Sequence, residues 1–122
     1  MDFDTYSQRL TNETPDIWSL SWIADYPGPN DFLGVLLGTG ASNNYGRWSN
    51  ADFDDAIAEA GQAIDPAEAR EAYDRAEAIV RDEAPVIPLS YSGGWALARE
   101  GLLGATENGL GSLRFAGLAW EE

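Results

Sequence analysis

The 122-residue sequence contains no cysteine, no histidine and no lysine, and all seven of its basic residues are arginines. Without cysteine and histidine, the chain by itself forms no disulfide, no thiolate or imidazole metal site and no Ser-His-Asp triad. Twenty-one acidic residues leave a formal net charge of −14. Because a protein that binds duplex DNA needs a basic surface to neutralise the phosphates, this charge argues against that function.

Long apolar runs are also missing from the sequence. The longest stretch without a charged residue, residues 32–46, carries several polar side chains and is shorter than the roughly 20 apolar residues of a membrane span. The first ten residues lack the basic start and the apolar stretch of a secretory signal peptide. If the protein is exported, we therefore expect its targeting segment to lie outside this chain.

The composition is nevertheless that of a folded domain. Hydrophobic residues make up 44% of the chain, including five tryptophans and five tyrosines, and a chain of this length buries about two-thirds of its unfolded surface. We interpret the acidic excess as a solvated surface, with attraction of a cationic partner as the alternative.

Two segments of the sequence have the spacing of amphipathic helices. Residues 2–12 form the first. The second follows an N-cap at Ser49 or Asn50 and places four apolar residues on one face, which are Phe53, Ile57, Ala60 and Ile64. A shorter helix is expected at residues 32–37, with Asn30 or Asp31 as its cap.

A third amphipathic helix has the clearest boundaries. Asp65 is its predicted N-cap, Pro66 occupies its first position, and Pro85 ends it, because proline suits a helix start and blocks its continuation. The predicted core face consists of Ala69, Tyr73, Ala76 and Val80.

Strands are predicted where apolar and small polar residues alternate or where β-forming residues cluster. The first is Ile17–Ile23, and three more lie at residues 86–91, 95–99 and 113–118. Helices mixed with strands in this order indicate an α/β (mixed) fold rather than a helical bundle or a sandwich.

Three consecutive blocks of the sequence resemble one protein family. They are SLSWIADYPGPNDFL at residues 19–33, NNYGRWSNADFDDAIAEA at residues 43–60, and DPAEAREAYDRAEAIVRDEAPVIPLSY at residues 65–91. In this order they resemble the C-terminal part of the extracellular solute-binding proteins of oligopeptide and dipeptide ABC transporters. The similarity extends over residues 16–118.

The resemblance implies a fragment of a two-lobed fold of the type II periplasmic-binding-protein class. Residues 1–89 would belong to the second, ligand-closing lobe, and residues 90–122 would hold the crossover and the strands that return to the first lobe. The whole protein would be periplasmic or extracellular, anchored to the membrane through a segment absent from this chain. It would deliver its solute to the membrane permease of the importer and need no cofactor.

The resemblance also implies a site for short peptides at the end of the predicted strand Ile17–Ile23. In peptide-binding relatives the aspartate that matches Asp25 holds the α-ammonium group of the ligand, and a carboxylate makes a charge-assisted hydrogen bond to such an amine. Trp22 and Tyr26 would lie beside it. The alternatives are that Asp25 stabilises the turn before Pro27 and that Trp22 belongs to the core.

The loop before the second amphipathic helix supplies two further candidate ligand residues, Asn44 and Trp48. The acidic residues that follow, Asp52, Asp54 and Asp55, fit the start of a helix, where its dipole favours negative charge. We therefore prefer surface charge to calcium binding for them, since the spacing of an EF-hand is absent. No catalytic residue and no metal ligand is predicted.

Alternative functions remain open from the residues alone. A relative of the same family could bind an oligosaccharide, a metal complex or haem, and tryptophans suit stacking on sugars. An acidic hydrolase fragment would need a carboxylate pair, and a structural interaction module would present its aromatic residues to a partner protein.

The tail of the chain, with Trp95 and Trp120, has the character of a surface that packs against a missing lobe. We expect the isolated chain to be marginally stable or to associate with itself. A monomer that unfolds cooperatively, in sedimentation and melting experiments, would contradict this hypothesis.

Overall fold

The computed structural model describes residues 1–91, 93, 95, 97–108 and 111–121. The chain forms two compact units. Unit 1 consists of Met1–Trp22 and Gly28–Ile87, and unit 2 consists of Ile23–Pro27 and Pro88–Glu122.

Unit 1 begins with helix α1, Phe3–Asn12, as the apolar spacing predicts. Asp2 is its N-cap, and one carboxylate oxygen of Asp2 accepts a hydrogen bond from the backbone N–H of Thr5 at 2.8 Å. This bond is the largest cause, and the bond from the Thr5 hydroxyl the next largest, of a pKa of Asp2 below its usual range. Both bonds favour the ionised carboxylate. Leu10 is the buried residue of the helix.

A 3₁₀ helix at Pro29–Asp31 and a single α-helical turn, α2, at Gly34–Leu37 follow in unit 1. The predicted helix at residues 32–37 is therefore shorter than expected. The predicted side-chain cap by Asn30 or Asp31 was wrong, because α2 has Leu33 at its N-cap position and no side-chain hydrogen bond there.

Helices α3, Ala51–Gln62, and α4, Pro66–Glu83, pack against each other as a hairpin. Asn50 and Asp65 are their N-caps, which confirms the predicted caps. Asn50 accepts from the N–H of Phe53 at 2.9 Å, and Asp65 accepts from the N–H of Ala67 at 2.8 Å. The helix α4 ends before Pro85, where its C-cap residue Ala84 adopts a left-handed conformation with φ of 47°.

The core of unit 1 lies between α2, α3 and α4. Its buried members are Leu33, Leu37, Phe53, Ala56 and Ala76. Partly buried side chains pack around them, including three residues of the predicted faces, which are Ile57, Tyr73 and Val80.

Ile64 is the exception among the predicted core residues. It is 98% exposed, and the prediction that it belongs to the core was wrong. The reason is that α3 ends at Gln62, so the helical spacing that would turn Ile64 inward stops before reaching it.

The predicted strand Ile17–Ile23 was also wrong, since the structure gives this segment no regular secondary structure. A strand is stable when a neighbour satisfies its backbone groups. In this segment the side-chain hydroxyl of Tyr6 satisfies both backbone groups of Ser19. It donates to the carbonyl of Ser19 at 2.6 Å and accepts from the Ser19 N–H at 3.1 Å.

Unit 2 contains a small antiparallel sheet. Strand β1, Leu102–Leu103, pairs with β2, Ala119–Trp120, so that Leu102 lies opposite Trp120. Gly104 follows β1 with φ of +75°, and a Cβ atom there would lie 2.0 Å from the carbonyl oxygen of Gly117. Only glycine fits this close approach of two backbone segments.

The strand predictions for the tail were imprecise. The segment 113–118 holds an isolated bridge from Leu113 to Glu107 and a 3₁₀ helix at Phe115–Gly117, whereas β2 follows it. Residues 86–91 are irregular. The predicted strand 95–99 includes Ala96, which lies outside the described residues. The combination of helices with a small sheet confirms the predicted mixed class.

Candidate functional site

Two of the five candidate ligand residues, Asp25 and Tyr26, lie in unit 2 within Ile23–Pro27. Both residues are exposed, Tyr26 with 40% of its surface. A carboxylate on an exposed turn can make a charge-assisted hydrogen bond to an amine.

Trp22, in unit 1, is half-buried and held in place by a carboxylate. Its Nε1–H donates to Oδ2 of Asp31 at 2.8 Å, and Asp31 is fully buried. The 3₁₀ helix at Pro29–Asp31 positions this acceptor. Sequence reasoning treated Asp31 only as a helix cap, because an acid before an apolar helical segment is an ordinary capping signal.

Asn44 organises its own loop. Its side chain is buried, and the carbonyls of Leu37, Gly38 and Trp48 lie 3.2, 3.1 and 2.7 Å from Nδ2, so that one of its two N–H groups is shared between two carbonyls. Its Oδ1 accepts from the N–H of Trp48 at 3.2 Å. One amide thus joins the end of α2 to the loop that precedes α3.

Trp48 connects this loop to both helices of the hairpin. Its ring packs edge-on against Phe53, with ring centroids 4.9 Å apart and an interplanar angle of 66°. Its Nε1–H donates to Oε2 of Glu83 at 2.7 Å, and Oε1 of Glu83 accepts from Nδ2 of Asn50 at 2.7 Å. Glu83 was missed by sequence reasoning, since it lies far along the chain and forms part of no local motif.

The structure therefore brings Asn44 and Trp48 into direct contact within unit 1, while Trp22 is bonded to Asp31 in the same unit. Asn44 and Trp48 also line a cavity of about 260 Å³ between α1 and the loop of residues 39–49. Leu10 and Arg47 contribute to the same wall.

The acidic residues at the start of α3 have a structural role in one case. Asp54 Oδ1 accepts from the backbone N–H of Thr39 at 3.0 Å, and Asp52 lies in the same first turn. Among the described residues, no group of three or more acidic side chains is arranged to hold a metal ion. Within that same part of the chain, no helix is long and apolar enough to cross a membrane.

Comparison with known proteins relates the chain to bacterial binding proteins, although no family model matches it. It is 32% identical over 104 residues to di/tripeptide-binding protein 4 of Pseudomonas aeruginosa, which covers 83% of this chain and 20% of that protein. It is 30% identical over 117 residues to the peptide transport periplasmic protein SapA of Salmonella typhimurium, covering 93% of this chain and 21% of that protein.

A further relative has a different name and a different ligand. The chain is 31% identical over 100 residues to heme-binding protein A of Haemophilus influenzae, covering 80% of this chain and 18% of that protein. The chain thus spans about a fifth of the length of the curated relatives it matches.

Two of these relatives are named as binding proteins, and SapA is named as a periplasmic protein of peptide transport. The matches cover most of the three sequence blocks and do not depend on a single short motif. The chain belongs to the extracellular solute-binding protein family of oligopeptide and dipeptide ABC transporters and is a fragment of their type II periplasmic-binding-protein fold.

Proposed function

We propose that the protein containing this chain is a non-catalytic receptor that binds short peptides outside the cytoplasm and delivers them to an ABC-type permease. The observation that carries the proposal is the similarity to peptide-binding relatives over 83% and 93% of the chain. The proposal includes membrane anchoring through a segment outside this chain. It also assigns residues 1–89 to the second lobe and residues 90–122 to the crossover and returning strands.

In this proposal, Asp25 binds the α-ammonium group of the peptide. Its exposure on the turn supports the assignment. Trp22 covers the body of the peptide, and the bond from its indole to Asp31 supports a fixed ring orientation. Tyr26 is proposed as a neighbour of the ammonium site.

Asn44 and Trp48 are proposed to form a wall of the site. The four hydrogen bonds of the Asn44 side chain support a role in shaping the loop, with Trp48 presenting the ring surface. A wall that is fixed before binding loses less entropy when the ligand arrives, which favours affinity.

The proposal also includes self-association of the isolated chain. Trp95 is 98% exposed, and Trp120 is also exposed. Large exposed aromatic residues favour association. Sedimentation velocity at increasing concentration tests this part, and a monomer at every concentration would contradict it.

Isothermal titration of the native-length protein with short peptides tests the peptide-binding function and the role of Asp25 together. We expect free tripeptides to bind, and both N-acetylation and Asp25→Asn to weaken binding by more than about tenfold, or about 1.4 kcal/mol. Asp16→Asn, a change at another exposed aspartate, is the matched control and should leave binding unchanged. Binding of oligosaccharides without any heat from peptides would overturn the proposed ligand class.

A further inference from the structure

The cavity between α1 and residues 39–49 has a lining that distinguishes it from the rest of the chain. Among the residues that the structure describes, no aspartate and no glutamate lines it, although the chain contains 21 acidic residues. Its polar lining includes the hydroxyl-bearing residues Thr39, Ser42, Tyr45 and Ser49. Arg47, an exposed residue, is the cationic residue of this described lining. The cavity is therefore rich in hydrogen-bond donors and carries positive charge.

Arg47 differs from three other arginines of unit 1 in its charge partners. Arg70, Arg75 and Arg81 each lie within 4.0 Å of a carboxylate. In the part of the chain that the structure describes, no such ion pair involves Arg47. A guanidinium that no internal acid neutralises, in a chain of net charge −14, is available to an anionic ligand.

The backbone conformation at Arg47 determines the direction in which its side chain leaves the loop. Arg47 has a φ of 52°, in the left-handed region that residues other than glycine rarely adopt. Its N–H donates to the carbonyl of Asn44 at 3.0 Å, and the Asn44 side chain is itself held by four hydrogen bonds. The loop thus holds this uncommon conformation through a buried, fully engaged side chain.

Apolar side chains form another part of the wall. Leu10 is 2% exposed, and Trp48 packs against the core of unit 1. Low-dielectric walls strengthen the attraction between a cation and an anion in a cleft. The volume of about 260 Å³ is just below the range of about 300–1,000 Å³ for pockets of small molecules, which suits one ligand group better than a whole peptide.

We propose that this cavity binds a carboxylate group of the ligand through Arg47, with the lining hydroxyls as further donors. The inference rests on the proposed peptide-binding function and adds a preference for anionic ligand groups. A guanidinium matches a carboxylate with two parallel hydrogen bonds. The carboxylate could belong to an acidic side chain or to the C-terminus of the peptide, and the experiment separates these two sources.

The test measures the ratio of two affinities by isothermal titration of the native-length protein. In the side-chain arm, each alanine of tri-alanine is replaced in turn by glutamate or by its isostere glutamine. In the C-terminal arm, tri-alanine is compared with its C-terminal amide. We expect the carboxylate form to bind at least about tenfold more tightly in one arm, and that arm identifies the source.

Arg47→Gln should reduce this ratio to less than about threefold, and Arg47→Lys should restore part of it, since lysine keeps the charge but not the planar fork. Arg9→Gln, which removes an exposed arginine of α1 outside the cavity lining, is the matched control and should preserve the ratio. Equal binding of carboxylate and neutral forms, or equal effects of Arg47→Gln and Arg9→Gln, would overturn the inference.

A second measurement separates failure of this inference from failure of the proposed function. Glutarate and the neutral glutaramide are titrated into the ¹⁵N-labelled native-length protein while the Nε–Hε resonance of Arg47 is followed. A saturable shift with glutarate alone supports the carboxylate site even when no peptide binds. The absence of such a shift, or the same shift with glutaramide, contradicts the site whatever the peptides do.

Discussion

Replacement of Asn44 by alanine should destabilise unit 1 far more than the same replacement at the neighbouring Asn43. The two N–H groups of the Asn44 side chain are shared among three backbone carbonyls, and its oxygen accepts from a backbone N–H. Within the described structure, no hydrogen bond involves the side chain of Asn43. Its backbone carbonyl accepts a hydrogen bond from the backbone N–H of Tyr45.

The magnitude follows from these bonds. Each intramolecular hydrogen bond contributes about 0.5–1.5 kcal/mol net, and a buried group left without a partner costs about 1–3 kcal/mol. Some of the carbonyls freed by Asn44→Ala lie where the bond is only partly buried and can bind water. We therefore expect a loss of about 3 kcal/mol for Asn44→Ala and less than about 0.5 kcal/mol for Asn43→Ala.

Urea unfolding of the 122-residue chain, at a concentration at which sedimentation velocity shows a monomer, measures the difference. Tryptophan fluorescence and circular dichroism at 222 nm are recorded together, because coincident transitions justify a two-state analysis. With a urea dependence of about 1–3 kcal/mol per molar, the midpoint of Asn44→Ala should fall by about 1–3 M at unchanged slope.

Asn44→Asp provides a sharper version of the same test. Aspartate keeps the acceptor for the Trp48 N–H but replaces the donating amide by a charged oxygen that faces three carbonyl oxygens. This variant should be at least as destabilised as Asn44→Ala, because acceptors repel one another and a buried charge lacks compensation. Equal midpoints for Asn43→Ala and Asn44→Ala would refute the assignment of a structural role to this amide.

Three further changes test the fold and its caps. Phe53→Ala, at a fully buried core residue, should cost about 3–5 kcal/mol in urea unfolding, whereas Ile64→Ala, at an exposed residue, should cost less than about 0.5 kcal/mol. Trp48→Phe keeps an aromatic ring at this position but removes the indole N–H that donates to Glu83, and it should cost at least about 1 kcal/mol. A double-mutant cycle with Glu83→Ala would show no coupling if that bond is unimportant. The pKa of Asp2 in the folded chain is lowered from 3.8. The hydrogen bonds from Thr5 to its ionised carboxylate therefore stabilise the fold fully above pH 3.8, and this stabilisation is lost as the pH falls through the lower pKa of the folded chain. The stability advantage of the wild type over Asp2→Ala should therefore be present at neutral pH and shrink on acidification, and an advantage independent of pH would contradict the capping argument.

Local chemistry made the helices predictable from the sequence. Asn50 and Asp65 are side chains of the type that caps a helix, and each accepts a hydrogen bond from a backbone N–H in the first turn. Pro66 and Pro85 mark a start and a stop because of their fixed φ and missing N–H. Such signals depend only on residues a few positions apart, so the start of α3 and both ends of α4 followed from the sequence, whereas the end of α3 at Gln62 did not.

Partners distant in sequence explain what the sequence did not reveal. The alternation in Ile17–Ile23 describes a segment that could form a strand, but a strand also needs a neighbour, and here Tyr6 satisfies backbone groups of Ser19 instead. The bond from Trp22 to Asp31 and that from Trp48 to Glu83 likewise depend on the tertiary arrangement. The proposed ligand roles of Asp25 and its neighbours come from the family resemblance and remain predictions.

The pairing of α3 with α4 has a consequence for how this chain acquires its structure. Apart from Phe53, the buried residues of the two helices are alanines: Ala56, Ala60, Ala72 and Ala76. An alanine side chain has no rotamers to lose, so ordering it costs no side-chain entropy, and contacts between helices adjacent in sequence close only a short loop. Local contacts of this kind form quickly. The hairpin is therefore the segment expected to fold first and to serve as the template on which the loop of Asn44 and Trp48 becomes ordered.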